Sequence, residues 1–318
     1  MSDSTNRVPD DQHSFDPIYS RNIQRVFRAR FKVNEPGYIS HITQRAAGKE
    51  PLFLDERDYL TMLGLLKESA ERFELCYYAL CLMPNHVHLL LKPQERNLAE
   101  AMRSVFSRYA TRFNRRYERR GHLFGGPYRQ SVCLDNTYLL TASVYIHLNP
   151  MRAGLVEDAS SYRWSSARLY CRDNPEDSFV DPRKVLQLVH DDESTARKQY
   201  RQILKRSQGE EPDNALEQEG AIESFCLRLA EIFPRLFGRL DKRREKERDH
   251  SSLLELTELE RKLQDVASTR ARSEENKQAK KYIAEQLLAR GFKKTEIASK
   301  MGISRKAVYN ILDPDFTG

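Results

Sequence analysis

Pro84-Asn85-His86-Val87-His88-Leu89-Leu90-Leu91 places two histidines one residue apart at the head of an apolar run. The run reads as a buried β-strand. Side chains at i and i+2 leave a strand on the same face, so both imidazoles enter one space, where a cation can sit between them. As core alone, the pair is a poor choice. Each ring carries a donor and an acceptor that need partners away from water, and adjacent rings resist charging together. A His-x-His that merely packs at a strand end is the plainer alternative.

The neighbouring chain supplies a fold for this strand. Upstream, Tyr38-Ile39-Ser40-His41-Ile42-Thr43-Gln44 is β-branched and aromatic, opened by Pro36-Gly37, and reads as a strand. Over residues 55–73, Tyr59, Leu60, Met62, Leu63, Leu65 and Leu66 recur near helical spacing and predict an amphipathic helix. Residues 75–82 form an apolar strand, 98–117 a second helix, 121–126 a glycine-rich loop, 128–134 a strand, and 136–148 a third helix ended by Pro150. Strands alternating with two long helices predict an α+β domain whose antiparallel sheet is covered on one face, closing near Tyr170.

Charge divides the chain of 318 residues into three parts. Residues 1–170 hold 24 Lys and Arg against 18 Asp and Glu, 171–269 hold 18 against 22, and 270–318 hold 11 against 6. Two basic ends flank an acidic middle, which favours a polyanion partner at both ends, because Lys and Arg supply most sequence-independent affinity for nucleic acid. Residues 1–32 read as a basic N-terminal arm carrying Arg21, Arg25, Arg28, Arg30 and Lys32. The five cysteines, Cys76, Cys81, Cys133, Cys171 and Cys226, lack CxxC spacing and suit a reducing cytoplasm rather than a disulfide framework or a cysteine zinc site. Nothing resembles a signal peptide or a membrane span, so a cytoplasmic protein is expected.

Beyond the acidic, helical region 171–269, whose role the sequence leaves unread, residues 279–290 predict a helix capped by Gly291. A short helix follows over 294–301, then a turn at Gly302-Ile303, then Ser304 as N-cap of a helix over 305–312. Helix, glycine turn, helix over the segment 270–318 is the helix-turn-helix pattern, in which Arg305, Lys306 and Tyr309 would face duplex DNA.

Eight arginines fall between 103 and 129: Arg103, Arg108, Arg112, Arg115, Arg116, Arg119, Arg120 and Arg129. Phe106, Tyr109, Phe113, Tyr117, Phe124 and Tyr128 interleave with them. Guanidinium groups hold phosphates and rings stack on unpaired bases, so this stretch suits a single strand, with about half of the rings structural. In Tyr145-Ile146-His147-Leu148-Asn149-Pro150, Tyr145 and Asn149 share a helix face while His147 is turned far round it. A phenol beside a metal is a candidate covalent nucleophile. Tyr138, seven residues before Tyr145, lies on almost the same face, and spacing alone does not choose between them.

Four ordered motifs resemble the IS200/IS605-like single-tyrosine (Y1) transposases of the HUH superfamily, especially REP-associated tyrosine transposases. They are Met83-Pro84-Asn85-His86-Val87-His88-Leu89-Leu90, Gly121-His122-Leu123-Phe124, Tyr145-Ile146-His147-Leu148-Asn149-Pro150-Met151-Arg152-Ala153-Gly154-Leu155-Val156, and Tyr162-Arg163-Trp164-Ser165-Ser166. The resemblance covers about residues 33–170. It implies a ferredoxin-like sheet and a site for Mg²⁺ or Mn²⁺ made by His86, His88 and Asn149. It also implies Tyr145 as nucleophile, and cleavage and rejoining of single-stranded hairpin or repeat DNA through a 5′-phosphotyrosine link. It places the protein at the bacterial nucleoid and leaves a homodimer open. Where relatives often show Gly-His-Leu-Trp-Gln-Gly-Arg-Tyr, this chain has Gly121-His122-Leu123-Phe124-Gly125-Gly126-Pro127-Tyr128, which loses one cation. The alternative expectation is a catalytically silent DNA-binding regulator on the same fold.

Overall fold

The computed structural model describes residues 32–34, 36–48, 50–133, 135–173, 177–208, 221–246, 259, 263, 274–289 and 292–312. The basic arm before Lys32, Gly291 and the end of the charge run near residue 249 lie outside the described residues.

The first six elements are β1 (Ser40–Arg45), α1 (Glu56–Arg72), β2 (Leu75–Met83), β3 (His86–Pro93), α2 (Leu98–Arg116) and β4 (Arg129–Val132). The strands form one sheet in the order β2-β3-β1-β4, every neighbouring pair antiparallel. This is the βαββαβ order of a ferredoxin-like sheet, so the expected α+β class holds. Each helix connects two strands that run parallel with one strand between them. Right-handed crossover puts both helices on the same face. That face carries Ile42, Val87, Leu89 and Leu91, all fully buried, against Met62, Leu65 and Leu66 of α1 and Met102, Val105 and Phe106 of α2. Asp55 caps α1 and accepts from Arg57 N at 2.9 Å, with Asp58 reaching back to complete a capping box.

The opposite face carries His41, Thr43 and Arg45 of β1 in register with Leu90, His88 and His86 of β3. It is covered by α3 (Asn136–Arg152), which is buried along nearly its whole length. The helix runs through Pro150, where the sequence predicts an end. Proline removes a single ladder bond in the last turn, and the exit is closed by Ala153 N–H donating to Asn149 O at 3.0 Å and Leu155 N–H to Pro150 O at 2.9 Å. Arg152 is thereby carried two turns beyond Tyr145, on the same side of the helix.

The core does not stop at Tyr170. Short helix α4 (Ala167–Cys171), then α5 (Arg183–Val189), α6 (Glu193–Arg206), α7 (Ala221–Ile232) and α8 (Pro234–Lys246) follow. Their Tyr170, Val185, Tyr200, Phe225 and Leu240 belong to the same hydrophobic cluster as the sheet. The described helices between Ala167 and Lys246 therefore share one core with the sheet and α3.

A second, smaller cluster joins α9 (Glu274–Ala289), α10 (Lys294–Met301) and α11 (Arg305–Leu312) through Ile283, Leu287, Ile297, Met301 and Val308. Gly302 adopts φ 62° between α10 and α11, a left-handed conformation suited to glycine. Ser304 Oγ accepts from Ala307 N–H at 3.1 Å to cap α11. Among the described residues no helix is long and apolar enough to cross a membrane.

Candidate active site and nucleic-acid interface

His86 and His88 project from β3 onto the α3 face, and β1 brings a third imidazole, His41, beside them. His41 Nε2 lies 3.0 Å from His88 Nδ1, which also faces Thr43 Oγ1 at 3.3 Å. His86 Nδ1 lies 2.7 Å from Asn85 Oδ1, an atom that only accepts, so His86 carries its proton on Nδ1. When His88 likewise carries its proton on Nδ1, both Nε2 atoms keep their lone pairs. No hydrogen bond to either Nε2 is found among the described residues. His41 Nδ1 is buried with no partner.

All three rings are held neutral. Burial pushes the pKa of His41 down to about 4. Burial, then the Arg45 charge, pushes that of His86 down to about 3. Burial, the two neighbouring imidazoles and Arg45 hold His88 well below the usual range. Neutral imidazole is the form that coordinates metal. Among the described residues no group of three or more His, Cys, Asp or Glu is arranged to hold a metal ion.

The two tyrosines of α3 differ in their surroundings. The Tyr145 ring stands edge-on to His41 at 5.9 Å and to His88 at 5.7 Å between centroids, whereas no ring contact joins Tyr138 to the imidazoles among the described residues. Burial pushes the Tyr145 phenol up to about 12, opposed by the Arg152 and Arg45 guanidinium charges. Arg152 lies over the Tyr145 ring at 5.6 Å, and its Nη1 and Nη2 are buried without a hydrogen-bond partner. Asn149, one turn past Tyr145, donates from Nδ2 to Tyr145 O at 2.9 Å, which leaves Oδ1 as its acceptor. No hydrogen bond joins Asn149 to the imidazoles among the described residues. Phe225 of α7 closes the site from outside, its ring 6.3 Å from Tyr145, and Tyr145 is 2% exposed.

The arginines expected to bind DNA fall into groups. Arg108 forms a two-pronged ion pair with Glu68 of α1 at 2.6 and 2.8 Å, and Arg116 pairs with Asp55 and with Asp58 at 2.8 Å. Both tie α2 to α1, because the acidic face of α1 lies alongside α2. Arg112 and Arg115 are exposed on α2. Arg129 is exposed on edge strand β4 beside Thr43, close enough to Arg45 that its charge opposes protonation there. Arg103 lines a separate cleft between α2 and residues 121–128. On α11, Arg305 and Lys306 are exposed and Tyr309 lies under Lys294 Nζ at 4.0 Å.

His41, Arg45 and Arg152 are the members of this constellation to which the sequence reading gave no role. The signal for His41 was alternation: His41, Thr43 and Arg45 share one strand face, but which face meets His88 depends on register.

Residues 37–149 match the family model described as "Transposase IS200 like", a span that takes in the whole sheet, α1, α2 and most of α3. The matched segment is similar to that family, and it holds His86, His88 and Tyr145. A solved structure of the REP-associated tyrosine transposase bound to a REP hairpin is similar over 46% of this chain and 90% of that chain, at 12% identity and a TM-score of 0.39. No curated protein matches.

Proposed function

We propose that this chain cuts and rejoins single-stranded hairpin or repeat DNA, with Tyr145 as nucleophile and a 5′-phosphotyrosine intermediate. The observation that carries the reading is the Tyr145 ring standing against His41 and His88 and under Arg152, whose Nη1 and Nη2 have no hydrogen-bond partner. The phenol oxygen attacks phosphorus, the bond to the 3′ oxygen breaks, and the proton lost by the phenol is balanced by one gained on the freed 3′-hydroxyl. One phosphodiester replaces another, so rejoining needs no external energy source.

The donor set fits a divalent cation. His86 and His88 are neutral, their Nδ1 atoms are occupied by Asn85 and by Thr43 with His41, and their Nε2 lone pairs remain available, with Asn149 Oδ1 as the third group. Mg²⁺ or Mn²⁺ held there would supply Lewis-acid polarisation of the phosphoryl group, and imidazole donors suit manganese better than magnesium. His41 Nε2 and Thr43 Oγ1, accepting from His88 Nδ1–H, would hold the tautomer that leaves Nε2 free. Arg152 and Arg45 stabilise developing negative charge on the phenolate and phosphate, in a buried setting where such charges act strongly. Arg129 and the exposed Arg112 and Arg115 guide the backbone. On α11, Arg305, Lys306 and Tyr309 contact duplex DNA near the target, which places the protein at the nucleoid.

A hairpin oligonucleotide with Mn²⁺ tests this: wild type leaves a covalent protein-DNA adduct on a denaturing gel, and Tyr145→Phe and His86→Ala leave none. The burial of Tyr145 under Phe225 favours a second reading, a DNA-binding regulator without cleavage. Duplex binding with no adduct on any hairpin would establish that reading instead.

A further inference from the structure

On the sheet face away from the histidines, α2 and residues 121–128 enclose a cleft of about 480 Å³. That volume lies in the range of small-molecule sites. Phe106, Phe124 and Tyr128 form its aromatic wall, with Phe106 and Phe124 5.4 Å apart between centroids. Two buried polar atoms of lining residues have no partner: Asn114 Oδ1 and the Tyr128 hydroxyl. Asn114 is held by its other end, donating from Nδ2 to Gly121 O at 2.9 Å. A buried polar group without a partner costs about 1–3 kcal/mol, so two in one cleft point to an occupant that supplies the missing hydrogen bonds.

Positive charge stands at the same cleft. Lys32 lies 3.9 Å over the Tyr128 ring and donates to Tyr128 O, and burial pushes the Tyr128 phenol up with the Arg103 charge opposing it. Lys32 thus brings a cation to a loop that Pro127 leaves uncharged. Tyr128 lines the cleft, while the next residue, Arg129, stands on β4 at the histidine side. The edge strand therefore joins the two sites, and one single strand passing round it reaches both.

We infer that this cleft takes one unstacked nucleotide of the single strand, its base against Phe106 and Phe124 with polar edges on Asn114 Oδ1 and the Tyr128 hydroxyl, its phosphate on Arg103 and Lys32. The inference rests on the single-strand reading of the catalytic face. Its occupant differs from a free phosphate because aromatic rings wall the cleft, and stacking a base on such rings is worth about 1–3 kcal/mol.

The test uses the full chain and a set of hairpin oligonucleotides with single-stranded tails, each carrying 2-aminopurine at one tail position. One position is expected to quench on binding to wild type. Asn114→Ala, and Ala110→Trp, which fills the cleft from α2, are expected to abolish that quench and to weaken binding about tenfold, the lower part of the stacking range. Thermal midpoints of both variants show that they fold. Quenching at no position, or quenching that survives both variants, overturns the inference. The adduct assay on wild type separates the causes: an adduct without quenching removes the nucleotide subsite alone, whereas neither adduct nor quenching removes the single-strand reading and the subsite together.

Discussion

His147 and the cluster of His41, His86 and His88 are both buried and both held neutral, yet the two environments are built to different ends. His147 sits two residues from Tyr145 on α3, which turns it about 200° away. Its Nδ1 meets Tyr200 Oη at 2.8 Å, its Nε2 meets Ser166 Oγ at 2.8 Å, and its ring packs on Tyr170 at 4.7 Å. Every polar atom of that imidazole has a partner from the fold. In the cluster, the Nδ1 atoms of His86 and His88 have partners, no hydrogen bond reaches their Nε2 atoms among the described residues, and His41 Nδ1 is orphaned. Burial and charge do not separate a structural histidine from one poised for a ligand. The hydrogen-bond inventory does.

The sharpest way to break this comparison is a pair of substitutions. His88→Ala should lower Mn²⁺-dependent adduct formation by about 10²–10³-fold, the several kcal/mol that metal polarisation supplies, and its stability loss, from the freed His41 and Thr43, should be the smaller of the two. His147→Ala should do the reverse. It strands Tyr200 and Ser166 and opens a cavity, costing about 2–4 kcal/mol in urea unfolding, while adduct formation persists where the protein stays folded. Equal stability losses in the two variants would erase the distinction.

The property they share fixes a pH dependence. Burial pushes His147 down to about 3 and His41 down to about 4, against an ordinary value near 6.5. Below pH 6.5 the unfolded chain takes up protons that the native state refuses. Their contribution to stability is therefore complete above about pH 6.5 and declines as pH falls toward 4, each group adding about 1.4 kcal/mol per pH unit to the slope. His147→Phe should reduce that slope by one such increment. Urea titrations at intervals from pH 7 to 4.5 measure it, and an unchanged slope would mean that His147 protonates freely.

A smaller effect tests the inner arrangement of the cluster. Thr43→Val removes an oxygen 3.3 Å from His88 Nδ1 at nearly constant volume. Loss of a group that orients a ligand costs about 10–100-fold in metal affinity or activity, and the lower end is expected because His41 still engages Nδ1. Manganese affinity by calorimetry and adduct rate should fall together. A change in rate without a change in affinity would assign Thr43 to substrate.

Local patterns in the sequence carried the element order, because the period of two in β3 and the helical spacing in α1 and α2 are properties of short windows. His86 and His88 were legible as a same-face pair for the same reason, whereas only the resemblance set Tyr145 apart from Tyr138. The place of His41 was not, since it depends on the pairing of β1 with β3 across more than forty residues, and a one-residue slip would have turned it to the other face. Arg108 and Arg116 were read with the rest of a basic stretch, but Glu68, Asp55 and Asp58 lie on another helix and only the fold brings them together. Pro150 reads locally as a helix end, and its place in the last turn of a buried helix let α3 continue to Arg152.

What covers each histidine environment was least legible, and it yields the finest test. Tyr200 of α6 closes over His147 with a hydrogen bond, so that cover is part of the fold. Phe225 of α7 closes over Tyr145 through ring contact and through Arg152, whose guanidinium lies 4.5 Å from the Phe225 ring. With Tyr145 2% exposed, the proposed cleavage requires its cover to give way, and Phe225 is part of that cover. Phe225→Leu keeps an apolar contact while removing the ring, so the helix stays docked and opens more readily. At limiting DNA the adduct should form about threefold faster, a barrier change under 1 kcal/mol. Once α7 is tethered to α3 by an engineered disulfide, formation should stop until reductant is added. Full activity of the tethered protein would show that Phe225 is a fixed wall and that the strand enters by another route.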